Sequence, residues 1–120
     1  MLNTVTRRLL PLPALAFAFA LAGPSPAAAQ DAAAIKRGQE VYAAQKCSLC
    51  HAIAGKGKAS SPLDGVGTKL SAADIKQWIV NPTEMTAKTK STKKPPMPNK
   101  YGSLPAADVD ALVAYLQTLK

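Results

Sequence analysis

Cys47, Cys50 and His51 are the residues whose types and spacing most directly indicate chemistry. They stand in the run Cys47-Ser48-Leu49-Cys50-His51, in which each thiol can add to a vinyl group of one haem to form a thioether. The histidine that directly follows the second cysteine can then bind the haem iron from the proximal side. The run therefore predicts one covalently bound haem c, with Cys47 and Cys50 as anchors and His51 as an axial ligand.

Two other kinds of site use the same side chains. A structural zinc site needs four protein ligands, whereas the chain contains two cysteines and one histidine in all. A thioredoxin-like redox pair also has the Cys-x-x-Cys spacing, but it accompanies a βαβ pattern, and no alternating strand run occurs in this sequence. Haem attachment is the interpretation that uses all three side chains.

The second axial position of the iron requires another ligand, and a second histidine is excluded because the chain has one. Methionine is the next candidate. Met97 lies in Pro95-Pro96-Met97-Pro98, where the prolines restrict φ and so reduce the entropy lost on ligation. Met85 competes with it, although filling a gap in the core is the simpler role for Met85. A lysine of the Met97 loop is a further candidate at high pH.

Residues 1 to 29 are typical of a secretory signal peptide. Arg7 and Arg8 supply a basic start, residues 9–22 an apolar stretch, and Ala27-Ala28-Ala29 a cleavage site of small residues. We therefore expect a domain of residues 30–120 that is exported to the periplasm and is soluble there. An uncleaved anchor is the alternative, but a membrane span needs roughly 20 apolar residues, and prolines interrupt this stretch.

The net charge of the chain is strongly positive, at +8. Loss of Arg7 and Arg8 with the signal removes two of the 15 basic residues and none of the seven acidic ones, which leaves +6. The lysines concentrate around Met97 and after the haem motif, at Lys56, Lys58, Lys88, Lys90, Lys93, Lys94 and Lys100. Such a surface favours redox partners with acidic docking surfaces. No nucleic-acid motif accompanies the charge, and we expect a monomer.

Three amphipathic segments predict helices. The first covers residues 31–45, with Asp31 as its N-cap; Gly38 inside it indicates either close contact with another helix or a tolerated weak point. The second starts at Ser71, where Asp74 completes a capping box, and stops at Asn81-Pro82. The third carries a stripe typical of a packed helical face, formed by Val109, Leu112, Val113, Leu116 and Leu119.

The segments between these helices predict loops. Residues 54–69 are rich in Gly, Lys, Ser and Pro, and residues 83–102 contain five lysines with almost no aliphatic side chains. No strand is required, so the predicted fold is all-α, with three to four helices around the haem. The domain keeps few aromatic residues once Phe17 and Phe19 are removed, and its core is small. We therefore expect the apoprotein to be largely unfolded.

The order of these features resembles the class I cytochrome c family over nearly the whole of residues 30–120. The matching landmarks are Gly38, Tyr42, the haem motif, Pro62-Leu63-Asp64-Gly65, Trp78-Ile79-Val80-Asn81-Pro82, Met97-Pro98 and Ala114-Tyr115-Leu116. The resemblance implies that the N- and C-terminal helices pack together. It also implies a soluble, non-enzymatic electron carrier with His51 and Met97 as axial ligands.

The resemblance implies supporting roles for two further residues. Pro62 would offer its backbone carbonyl to the free N–H of His51, and Trp78 would lie near a haem propionate. The family often shows Gly-Pro-x-Leu-x-Gly, whereas this chain has Ser61-Pro62-Leu63-Asp64-Gly65. Other functions for a haem protein of this size are a subunit of a fixed redox complex, a small peroxidase and a gas sensor with a labile methionine ligand.

Overall fold

The computed structural model describes Gly23 and residues 26–120. Residues 1–25 of the expected signal segment, apart from Gly23, lie outside the described residues. Within the described part the chain forms five α-helices, α1 to α5, at Pro26–Ala44, Val66–Lys69, Ala72–Val80, Pro82–Thr89 and Ala106–Gln117. Two strands, β1 and β2, span Ala52–Ile53 and Lys56–Gly57, and 3₁₀ helices cover Cys47–Leu49 and Tyr101–Ser103. None of the helices described is both long enough and apolar enough to cross a membrane.

Helix α1 begins five residues earlier than the sequence pattern predicts. It starts at Pro26, so Asp31 lies inside the helix, and the prediction that Asp31 is the N-cap is wrong. The physical reason is the run of alanines on both sides of Asp31, because alanine has the highest intrinsic helix propensity. The predicted end near Gln45 is correct to within one residue.

A small β-hairpin replaces part of the loop that was predicted after the haem motif. Strands β1 and β2 are antiparallel, with Ala52 opposite Gly57 and Ile53 opposite Lys56. The two turn residues, Ala54 and Gly55, both have positive φ, at 49° and 75°. Positive φ at both positions is what a two-residue type I′ hairpin turn requires. The prediction of no strand missed this turn because alanine rarely adopts positive φ.

Helix α4 contradicts the prediction of an extended loop from residue 83 onwards. Pro82 occupies the first helical position, where its fixed φ suits a helix start and its missing N–H has no cost. Glu84 in the first turn and Lys88 in the last turn match the helix dipole, and Met85 is buried. Asn81-Pro82 thus separates α3 from a second helix and does not end helical structure in this region.

The other two helix predictions are confirmed. The Ser71 hydroxyl accepts a hydrogen bond from the Asp74 backbone N–H at 3.1 Å, which caps α3. In α5, the predicted apolar stripe is buried from Val109 to Leu116. Pro105 precedes the helix as its N-cap residue.

The N- and C-terminal helices pack against each other at Gly38, as the resemblance to class I cytochromes c implied. A methyl group at Gly38 would collide with the Ala111 carbonyl oxygen and would lie 2.6 Å from the Tyr115 Cβ. Beside this contact the Tyr42 and Tyr115 rings meet edge to face, with centroids 5.9 Å apart. Buried residues of α1, α3 and α5 form one core. The all-α fold with packed terminal helices is therefore confirmed, with α2 and α4 in addition.

Candidate functional site

The chain turns sharply between α1 and the haem motif. Lys46 adopts a left-handed conformation, with φ of 54°, and the 3₁₀ helix at Cys47–Leu49 follows it. The Cys47 carbonyl oxygen accepts hydrogen bonds from the backbone N–H groups of Cys50 at 3.1 Å and His51 at 3.0 Å. This tight turn brings both sulfur-bearing residues and the imidazole to the wall of a single cavity.

The cavity has a volume of about 290 Å³ and opens between the helices. Three helices supply its apolar wall. The side chains are Val66 of α2, Leu70 directly after α2, Ile75 and Ile79 of α3, and Leu112 and Leu116 of α5. Four of these side chains, those of α3 and α5, also belong to the buried core. The core is therefore continuous with the cavity, and a flat apolar ligand there would extend it.

His51 is held in place by a backbone carbonyl. Its Nδ1 lies 2.8 Å from the carbonyl oxygen of Ser61, a contact in which Nδ1 carries the proton and donates. The tautomer fixed in this way leaves Nε2 unprotonated and able to bind a metal ion.

The residue that supports His51 is Ser61, which corrects the sequence expectation of Pro62. Counting back from Leu63-Asp64-Gly65, the pattern Gly-Pro-x-Leu-x-Gly places its proline at Ser61 and not at Pro62. The register of that pattern was therefore the signal that could have identified Ser61. A backbone carbonyl can be supplied by any residue type, so the side chain at this position did not reveal the role.

Backbone hydrogen bonds fix the segment that carries Ser61. The Lys58 N–H donates to the Ser48 carbonyl oxygen at 3.0 Å, and the Leu63 N–H donates to that of Ala52 at 2.8 Å. Both ends of the segment are thus tied to the haem motif and the residues after it. These bonds hold the Ser61 carbonyl in position relative to the haem motif.

The two candidate methionines lie in different environments. Met97 lines the cavity together with the prolines on both sides of it, Pro95, Pro96 and Pro98. Met85 is 6% exposed and packs inside the protein; it is not among the residues that line the cavity. The structure therefore brings Met97, and not Met85, to the same cavity as His51.

Three aromatic side chains complete the cavity wall, namely Tyr42, Trp78 and Tyr101. Trp78 was the predicted neighbour of a propionate, and it lies on α3, half-buried. Tyr42 packs against Tyr115 of the last helix. Its hydroxyl also lies 3.5 Å from the His51 carbonyl oxygen, which links the helix contact to the haem motif.

Burial controls the ionisation of the groups around the cysteines. It raises the pKa of the Cys47 thiol, an effect that a backbone hydrogen bond and the positive charge of Lys100 partly offset. It also raises the pKa of Tyr101 and raises that of Tyr42 to about 12. These surroundings disfavour a thiolate, whereas a thioether carries no charge and tolerates the same apolar wall.

The cavity fits a covalently held haem. Two cysteines offer sulfur, an oriented imidazole offers a nitrogen, a methionine thioether offers a second soft ligand, and the remaining wall is largely apolar. Among the described residues, no three His, Cys, Asp or Glu side chains are grouped as ligands for a bare metal ion. The donor set is that of a haem site.

The family model for cytochrome c matches residues 35–120, which include the haem motif, the cavity and all of α3 to α5. The chain therefore belongs to the cytochrome c family. Its cofactor is covalently attached haem c, and its chemistry is haem-based electron transfer. Comparisons with curated proteins and with solved structures gave no significant match.

Proposed function

We propose that this chain is an exported one-electron carrier in which Cys47 and Cys50 hold the haem and His51 and Met97 are its axial ligands. The observation that carries the proposal is that all four side chains line one cavity. The haem supplies the redox centre. The chain supplies two thioether anchors, an imidazole whose Nδ1 is engaged by Ser61, and a thioether sulfur.

This ligand set favours electron relay over catalysis. Two protein ligands leave no axial position for a substrate or for oxygen, so the protein is not an enzyme under this proposal. A methionine ligand raises the reduction potential relative to a second histidine, and an apolar pocket disfavours the extra charge of the oxidised form. We therefore expect a positive midpoint potential and no reaction with carbon monoxide or peroxide. A clearly negative potential would contradict the assignment of Met97.

The test of the ligands is a pair of substitutions read by absorption spectroscopy. Met97→Ala should abolish the charge-transfer band between sulfur and ferric iron at the red end of the spectrum. Met85→Ala is the matched control, because Met85 is buried away from the cavity. It should lower stability by about 2–5 kcal/mol and leave the band intact. Loss of the band in Met85→Ala alone would transfer the ligand role to Met85.

The same proposal includes an acidic partner that docks at the cavity. Four lysines line the cavity, namely Lys46, Lys58, Lys93 and Lys94. The last three belong to the lysines that the sequence concentrates around Met97 and after the haem motif. Leu49, between the two cysteines, is 67% exposed. Charges at such a site attract carboxylates over roughly 10 Å at 0.1 M salt, and Leu49 offers one exposed apolar contact within the haem motif.

Electron-transfer rates measured against ionic strength test this docking surface. With an acidic redox protein as partner, the second-order rate should fall as salt rises. Replacing both Lys93 and Lys94 by Gln should flatten that dependence, whereas replacing Lys120, which does not line the cavity, should leave it unchanged. A rate that does not depend on salt in the unmodified protein would favour docking through apolar contacts alone.

Periplasmic location follows from the expected signal and from the need to attach haem to reduced cysteines after export. Mass spectrometry of the purified protein tests it. The expected mass is that of a chain starting near Gln30 plus one haem. Retention of residues 1–29 would show an uncleaved segment and contradict a soluble periplasmic form.

A further inference from the structure

The loop that carries Met97 has few hydrogen bonds to the rest of the protein. Residues 92–99 lie between α4 and the 3₁₀ helix at Tyr101–Ser103, and we call them the methionine loop. Apart from a bond to the adjacent Ser91, one hydrogen bond within the described residues joins this loop to the rest of the protein. In it, the Lys93 ammonium Nζ donates to the carbonyl oxygen of Ser60 at 3.4 Å.

The acceptor of this bond is next to the group that orients His51. Ser60 precedes Ser61, whose carbonyl oxygen lies 2.8 Å from the His51 Nδ1. The segment that contains both serines is fixed at its two ends by the backbone bonds of Lys58 and Leu63. Lys93 is thus bonded to a fixed part of the protein, on the side that holds the proximal ligand.

We propose that Lys93 is a positioning residue that ties the methionine loop to the Ser60–Ser61 segment and so keeps Met97 at the iron. This inference rests on the proposed axial ligation. Prolines limit the conformations of the loop, but they do not fix where the loop lies relative to the proximal side. The bond from Lys93 joins the loop to the segment that supports His51 and supplies that restraint.

The restraint determines how readily another ligand replaces Met97. When the bond from Lys93 is absent, the methionine loop has more freedom. The state in which Met97 is away from the iron, and the second axial position is open, is then populated more often. An added ligand that binds this state then binds more tightly, because its apparent affinity scales with the population of the competent state. Lys93 is exposed and its bond is long, so we expect a change of about two- to fivefold.

Imidazole titration of the ferric, haem-loaded protein tests the tether. Lys93→Met keeps the length of the side chain and removes the charge and the donor. Lys94→Met is the matched control, because Lys94 is adjacent, also lines the cavity and has no side-chain hydrogen bond within the described residues. We expect Lys93→Met to bind imidazole about two to five times more tightly than the unmodified protein, with Lys94→Met unchanged. Lys93→Arg, which retains a donor, should restore most of the original affinity.

The outcomes separate the tether from the proposed function. Equal tightening in Lys93→Met and Lys94→Met would show a general charge effect and overturn the proposal, and so would no change in Lys93→Met. If the unmodified protein lacks the sulfur-to-iron band, or Met97→Ala retains it, the axial assignment itself fails and the tether has no ligand to hold. A normal band together with an unchanged imidazole affinity in Lys93→Met overturns the tether alone.

Discussion

Gly38→Ala should destabilise the protein, although alanine is the better helix former. Helix propensity by itself favours alanine over glycine by about 1 kcal/mol in a helix interior. In the folded protein, however, the new methyl group would collide with the Ala111 carbonyl oxygen and lie 2.6 Å from the Tyr115 Cβ. Neither atom belongs to the mobile end of a side chain, so neither can move away without shifting α5.

The size of the effect follows from the geometry. Carbon atoms prefer separations of about 3.5–4.0 Å, so α1 and α5 must move apart by roughly 1 Å at this point. A gap of about that size forfeits a quarter to a half of the attraction between the atoms it separates. Overpacking of this kind costs about 1–3 kcal/mol in cores, and we take the upper end because neither neighbouring atom can move away. Subtracting the propensity gain of about 1 kcal/mol leaves an expected net loss near ~2 kcal/mol.

Thermal unfolding of the haem-loaded protein, followed by circular dichroism, measures this loss. For a domain of this size, a loss of about 2 kcal/mol lowers Tm by roughly 8–16 °C. Gln39→Ala is the control, because Gln39 is the exposed neighbour on the same helix; its Tm should change little. A Gly38→Ala protein as stable as the original, or more stable, would refute the close approach of the two helices.

Three further predictions concern charge and backbone strain. Arg37→Met removes hydrogen bonds of 2.9 and 3.0 Å to Asp108; it should lower Tm less than Gly38→Ala does, and the difference from the original should shrink in high salt. Burial raises the pKa of Tyr42 from 10.0 to about 12, so the folded state binds the hydroxyl proton more strongly than the unfolded state does. The free energy of unfolding should therefore fall as pH rises from 10 to 12, and urea titrations should show a smaller fall in Tyr42→Phe. Lys90→Gly should raise the free energy of unfolding by about 1 kcal/mol, because Lys90 has φ of 52° and glycine adopts this conformation without strain; an unchanged urea midpoint would contradict it.

The sequence predicted the parts of the site whose chemistry depends on side-chain type and local spacing. Cys47, Cys50 and His51 lie close together in the chain, and one tight turn brings them to the cavity. The proline-flanked Met97 was separated from Met85 by composition alone, and the structure places the two as expected. Gly38, which is costly inside a helix, was compatible with a close helix contact or a tolerated weak point, and the structure shows the close contact.

Other features lay beyond the reach of the sequence because they depend on the backbone or on distant contacts. The support of His51 comes from a carbonyl of Ser61, and every residue type carries such a group. Helix α4 was missed because its apolar residues are few, and Pro82 and Met85 stabilise it through burial against the rest of the fold. The hairpin turn places Ala54 in a conformation that alanine seldom adopts.

The sequence by itself thus identified the cofactor and predicted its anchors and candidate ligands, since these depend on side-chain type and on local spacing. Only the tertiary structure decided how the two sides of the cavity are held together. His51 and the carbonyl of Ser61 are ten residues apart, and Lys93 is 33 residues from Ser60. Contacts at such separations form only when the helices pack, because packing brings the two loops to one cavity, and no local pattern encodes that distance.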